Sequence, residues 1–534
     1  MRNLATSVTV LSLLLAPFAA AAQSPAECAP TDHVDKYRLL RQLSLDLRGR
    51  IATVEELSAL DGVDDVTEEM LVAMLGSEDF FREVRRYHHD LLWGTLDGLD
   101  RIAHRFRRLQ QDPDTGVWYL RASSRHYRNA NAGGVPCLDQ PARFDGSGRP
   151  VYLRTNVTGG EYADQCIRGC NFEGYVMVRP YWDPSTRIKV CALDAQEQNR
   201  GTAGGNCLND SGREDPGCGC GPNLERCYSV GAPGAGDPMM REALVEEPER
   251  IFESVVREGR PYFEALTTRE TLVNGPLVHY YQHVGGYDVV SRPMMGGLPN
   301  VPFTDTETWT RVTRSETHAG VLTTYGYMMR FASDRGRANH FYATFLCQPF
   351  EPVAELPPAD EPCSQDPDLS QRCGCNSCHA TLEPAAAHWG RWRHGEQYGY
   401  LATDAFPNRR ADCANCTGAG CSDICNDYYV TRPTSARAEY GDLGLLRALQ
   451  WRTPEERRAL ELGPRALVER PGNLELMEAC TARTLAEHLL HRPLTEDETA
   501  SWLPELADRF RGAGHDFTAL VRTVVEDERY RAIR

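Results

Sequence analysis

Nineteen cysteines in a chain of 534 residues, none of them before Cys28, constrain this molecule more than any other feature. Thiols in that number stay reduced in a cytosol only inside metal clusters; elsewhere they pair. The count predicts a disulfide-rich protein matured in an oxidising compartment, and because it is odd, at least one cysteine is free, otherwise engaged or paired between chains. The N-terminus agrees. Met1-Arg2-Asn3 forms a short positive region, Leu4 to Ala19 is largely apolar, and Ala20-Ala21-Ala22 offers the small residues a signal peptidase needs. Residues 1–22 therefore read as a secretory signal with Gln23 as the mature start. No later run is apolar and long enough to cross a bilayer, so export to the periplasm or cell surface, without a transmembrane segment after signal cleavage, is the expectation. The net charge of −17 argues against nucleic acid and anionic membranes as partners, since both select positive patches.

Periodicity predicts a mainly α fold: helical bundles, a loop-rich, disulfide-stapled insert with some short β, and a small Cys-rich segment. Residues 23–95 read as an N-terminal helical domain. Within it Tyr37, Leu40, Leu43 and Leu47 share a face, Gly49 supplies a stop, and Thr53 with Glu56 makes a capping box. Ser77 precedes an aromatic amphipathic run, Phe80 to Trp93, whose adjacent His88 and His89 point to different faces and so to core or solvent rather than metal. Residues 96–240 lose helical period and gather Gly, Pro, Asn and eight cysteines around short β-prone runs such as Gly174 to Val178. A zinc site at Cys218, Cys220 and Cys227 competes there with disulfides. Helical patterning resumes in 241–362, with Glu247 to Glu258 as a charged amphipathic helix, Tyr262, Phe263 and Leu266 continuing the stripe, and a Pro-rich linker at the end. Residues 363–430 are Cys-rich, and 431–534 read as a C-terminal helical bundle with caps at Thr453, Thr495 and Asp516.

One motif carries chemistry: Cys375-Asn376-Ser377-Cys378-His379. Residues at i, i+3 and i+4 share one face of a helical turn. Two sulfurs so placed reach the two vinyl groups of one porphyrin edge, and the histidine reaches the iron, as in covalent c-type haem attachment. On this reading Cys375 and Cys378 form thioethers to one haem c and His379 is the proximal ligand. The distal candidates are Met328, Met329, His388, His394 and Met477, and a five-coordinate iron also fits. Trp389 and Trp392 wall a haem or serve as core aromatics. The competing reading of the cluster is a disulfide knot in which His379 has no special role. The Met-Met pairs, including Met239-Met240 and Met294-Met295, read as core fillers before copper ligands.

Several segments together resemble exported planctomycete and myxobacterial cytochrome c-like proteins built from helical domains of unknown function around a single C-x-x-C-H. These are Tyr37 to Gly49 with Thr53 to Leu57, Leu272 to Tyr280, Gly320 to Thr323 with Phe345 to Pro349, and Cys375 to His379 with Pro384 and Gly390 to Arg393. Leu489 to Pro493 and Phe517 to Tyr530 complete the resemblance, which leaves 96–240 outside it. Ala385 to Ala387 depart from the Gly-containing run of that pattern. The resemblance implies a periplasmic or surface location and haem at Cys375, Cys378 and His379; it implies no substrate. One-electron transfer with a redox partner protein is the expected role. A haem-free, disulfide-rich surface protein engaging a polysaccharide or a protein, and a haem peroxidase-like enzyme, are the alternatives.

Overall fold

The structure is a computed structural model that describes residues 34–94, 108–120, 137–151, 153–154, 171–196, 219–229, 236–284, 297–351, 357–393, 399–433 and 442–532. The signal expected over 1–22, His394, Met294-Met295 and Cys218 lie outside them. The described residues are mainly α, with about 51% helix and 10% strand. No helix among the described residues is long and apolar enough to cross a membrane.

Four N-terminal helices open the fold: α1 (Lys36–Arg48), α2 (Val54–Ser58), α3 (Glu68–Leu75) and α4 (Glu78–Leu91). Gly49 ends α1 in the left-handed region at φ 62°, where a side chain would be strained. Leu39, Leu40, Leu43 and Leu47 form the buried face of α1, whereas Tyr37 is 40% exposed and gives its hydroxyl proton to Asp61. Tyrosine therefore belongs to the rim of that face and not to its apolar stripe. The Thr53–Glu56 capping box forms in both directions, and Ser77 caps α4.

The middle of the fold holds α5 (Gly236–Arg257), α6 (Gly275–His279), α7 (Tyr325–Arg330) and α8 (Asp334–Phe345). The run at Tyr262–Leu266 is a 3-10 turn after Pro261 rather than a continued α-helix, because proline cannot donate the helical hydrogen bond. Glu247, expected on a charged face of α5, is fully buried. It accepts from Tyr281 (2.7 Å) and Thr271 (2.7 Å) and pairs with Arg314, so its charge is matched inside the core.

Then come α9 (Asn376–Ala386), two short helices α10 (Ala411–Ala414) and α11 (Asp423–Tyr428), and the C-terminal α12 (Pro454–Val468), α13 (Asn473–Leu490), α14 (Leu503–Gly512), α15 (Phe517–Val525) and α16 (Glu528–Arg531). The capping boxes at Thr453 and Thr495 and the Asp516 cap on α15 form as the sequence predicts.

The segment rich in Gly and Cys supplies a seven-stranded mixed sheet. Its order is Cys137–Pro141, Asn171–Val178, Ile188–Cys191, Trp118–Leu120, Arg108–Gln111 and Tyr228–Ser229, with Leu153–Arg154 on the second strand. The sheet does not stand apart: Leu109, Trp118, Tyr181 and Val190 belong to the main hydrophobic core, and Tyr181 stacks on His279 of α6 at 3.7 Å. Short strands of this kind bury too little by themselves, and the helices complete their cover.

Two cores result. The larger gathers α1–α9 and α12–α16; the smaller, around Leu401, Phe406, Tyr429 and Leu446, is stapled by Cys413–Cys425 and Cys416–Cys421. Cys347–Cys480 ties the chain two residues past α8 to α13, and Cys137–Cys191, Cys220–Cys227 and Cys363–Cys373 complete the described disulfides. Cys220 and Cys227 are thus committed to each other, which removes two of the three thiolates that the zinc reading needs.

Candidate functional site

Among the described cysteines only Cys375 and Cys378 are free, and both are half-buried. The local sequence explains their placement. Cys363–Cys373 pins the approach to α9, and Gly374 turns the chain at φ 78°, a conformation glycine adopts without strain. The helix starts at once: His379 N–H donates to Cys375 O (3.0 Å), so Cys375, Cys378 and His379 share one face. Cys378 Sγ donates to the Glu351 carbonyl (3.4 Å).

His379 has a defined orientation. Its Nδ1 donates to Glu383 Oε1 at 2.7 Å, one helical turn on, which leaves Nε2 as the ring atom able to bind a metal. Glu383 is itself held by Arg335 and by Arg452, whose guanidinium lies 3.1 Å from Oε2. Burial pushes the Glu383 carboxyl up, but Arg335, His379 and Arg452 outweigh it and keep it below the ordinary carboxylate range. The i,i+4 spacing of His379 and Glu383 was readable from the sequence; the two arginines, which come from α8 and from the residue before the α12 cap, were not.

The free thiol pair and the oriented imidazole share one face, the donor set by which Cys375, Cys378 and His379 would hold a covalent haem. His394 lies outside the described residues, and the other distal candidates are buried in the core. Met328 and Met329 of α7 and Met477 of α13 are buried in the main core. His388 is buried in the turn that continues α9, its Nδ1 donating to Gly463 O (2.8 Å). Nine residues along a helix are about 13 Å and half a turn away from His379, too far to meet it across one iron. Trp389 and Trp392 are both fully buried; Trp389 Nε1 donates to Leu322 O (3.0 Å), whereas Trp392 Nε1 has no partner.

A cavity of about 460 Å³ opens at the junction of the two cores. Trp389 and Trp392 line it from the main core, Leu401, Tyr428 and Leu446 from the smaller one, and Glu383 joins it to the histidine. Neither thiol and not His379 itself is part of its wall. Comparison with known proteins finds no matching protein family, no similar curated protein and no similar solved structure. Function therefore rests on the chemistry of these residues.

Proposed function

We propose that this chain is an exported c-type haem protein with a redox role, most simply one-electron transfer, in which Cys375 and Cys378 anchor the haem by thioethers and His379 is its proximal ligand. One observation carries the reading. Twelve described cysteines are paired, and the two that are not stand three residues apart on the same helical face as a histidine. A chain that oxidises its other described thiols keeps these two for a different bond. Bound there, haem supplies a one-electron couple at iron. The chain's own part is to fix the imidazole: Glu383 holds the Nδ1 proton, and Arg335 with Arg452 holds Glu383. The test is the intact mass of the mature protein made alongside a cytochrome c maturation system. The reading expects one covalent haem that disappears in Cys375→Ala/Cys378→Ala; an unmodified chain with two titratable thiols or a Cys375–Cys378 disulfide overturns it.

A second reading has its own support. The partner of His379 Nδ1 is a carboxylate, a stronger acceptor than a backbone carbonyl, which makes the imidazole more electron-donating and favours activation of a bound small ligand. A peroxidase-like enzyme predicts high-spin iron that takes up cyanide. A low-spin spectrum indifferent to cyanide selects electron transfer.

A further inference from the structure

The cavity at the junction of the two cores offers more than a wall for the main site. At about 460 Å³ it lies within the roughly 300–1,000 Å³ of small-molecule sites, and it sits between two packed units, where such sites concentrate. Its charges cancel. Arg335, Arg393, Arg447 and Arg452 line it, and so do Asp334, Asp368, Glu383 and Asp427, four of each sign. A ligand of high net charge gains nothing from such a balance, and an anion also meets a chain of net charge −17.

What the lining does offer is planar polar groups next to aromatic faces. Arg447 bonds only to carbonyl oxygens, those of Tyr429 (3.0 Å) and Asn426 (2.7 Å), and Asp427 is half exposed with its nearest cation, Arg393, 3.8 Å away. Trp392 Nε1 is a buried donor without a partner, on a residue only 1% exposed. Trp451 lines the cavity yet stays 36% exposed, held at φ 63°, a backbone region in which a tryptophan is uncommon.

We propose that this cavity binds a neutral, polyhydroxylated ligand, a short oligosaccharide, with Trp451 as the stacking platform. Each sugar hydroxyl both donates and accepts, so adjacent hydroxyls pair with carboxylate, amide and guanidinium edges together, without requiring a net charge. The C–H face of a pyranose ring is apolar and flat, which suits an exposed indole. No thiol or His379 atom lines the cavity, although Glu383, Arg335 and Arg452, which hold His379, do.

The experiment is a calorimetric titration of the full mature chain with cello-, chito- and malto-oligosaccharides, di- to tetrasaccharides, followed in parallel by tryptophan emission. At least one series gives a saturable isotherm that salt leaves unchanged and that shifts the emission. Trp451→Ala and Asp427→Ala, both at exposed positions, each weaken it about tenfold or more, while circular dichroism stays that of the parent. The proposal is overturned if no member of the panel saturates at millimolar concentration. It is equally overturned if affinity survives both substitutions, or if citrate or phosphate binds instead with a steep salt dependence.

Discussion

His88 shows what the interior does to a single titratable group. It is fully buried on α4, stacks on Phe252 at 4.0 Å, and bonds through its two ring nitrogens to Val84 O (2.7 Å) and the Tyr262 hydroxyl (3.0 Å). Burial drives its pKa down to about 3. A base depressed in the folded state stabilises the fold above its unfolded pKa and loses that contribution as pH falls from about 6.5 toward 3. Buried His340, also held at about 3, acts in the same direction, while Glu249, raised to about 7 by burial, opposes it by losing stability as pH rises from about 4.5 to 7. Urea denaturation should show a lower midpoint at pH 4.5 than at pH 7.5, with a smaller difference in His88→Phe; an unchanged difference assigns the acid sensitivity elsewhere. At the candidate site, Glu383→Gln removes the charge on the acceptor of His379 Nδ1 while keeping its size. In the haem-loaded protein it should raise the reduction potential and lower the iron–histidine stretching frequency. A potential equal to that of the parent contradicts the role given to Glu383.

Elements succeed or fail by whether their signals are local. The capping boxes at Thr53 and Thr453 involve residues three apart, so the sequence displays both partners and the structure forms both bonds. Gly174 to Val178 is β-prone by composition and falls in the strand Asn171–Val178, yet its neighbours, Cys137–Pro141 and Ile188–Cys191, are fixed by pairing that periodicity does not encode. The contact between α5 and α7 is equally silent in sequence. A Cβ on Gly326 would collide with the Leu244 carbonyl, so the two helices approach through that glycine. Gly326→Ala should cost about 1–3 kcal/mol or more by urea denaturation; a neutral effect means the helices can part. Cys347–Cys480 closes a long loop of 133 residues, and its double serine variant should lose about 2–5 kcal/mol. A loss of less than 1 kcal/mol would show that the α8–α13 packing holds the two ends without the bridge.

For the whole molecule, mainly α character and a disulfide-stapled middle were legible because composition and periodicity carry them. The joining of the sheet to the main core was not, since Tyr181 and His279 are far apart in sequence. The thiol pair at Cys375 and Cys378 was visible as a motif, but that it alone stays unpaired among the described cysteines depends on where the others meet in space. The cavity is the least legible feature, assembled from stretches between Asp334 and Arg452 that no single motif announces. Whether the unpaired thiols hold haem is tested most directly by the oxidised and reduced absorption spectrum of the mature protein, exported alongside a cytochrome c maturation system and then denatured. A Soret band that stays with the unfolded chain, with sharpened bands on reduction, and that is absent from Cys375→Ala/Cys378→Ala, is the predicted result. A folded, colourless protein would contradict it and leave a disulfide-stapled binding protein as the description of this chain.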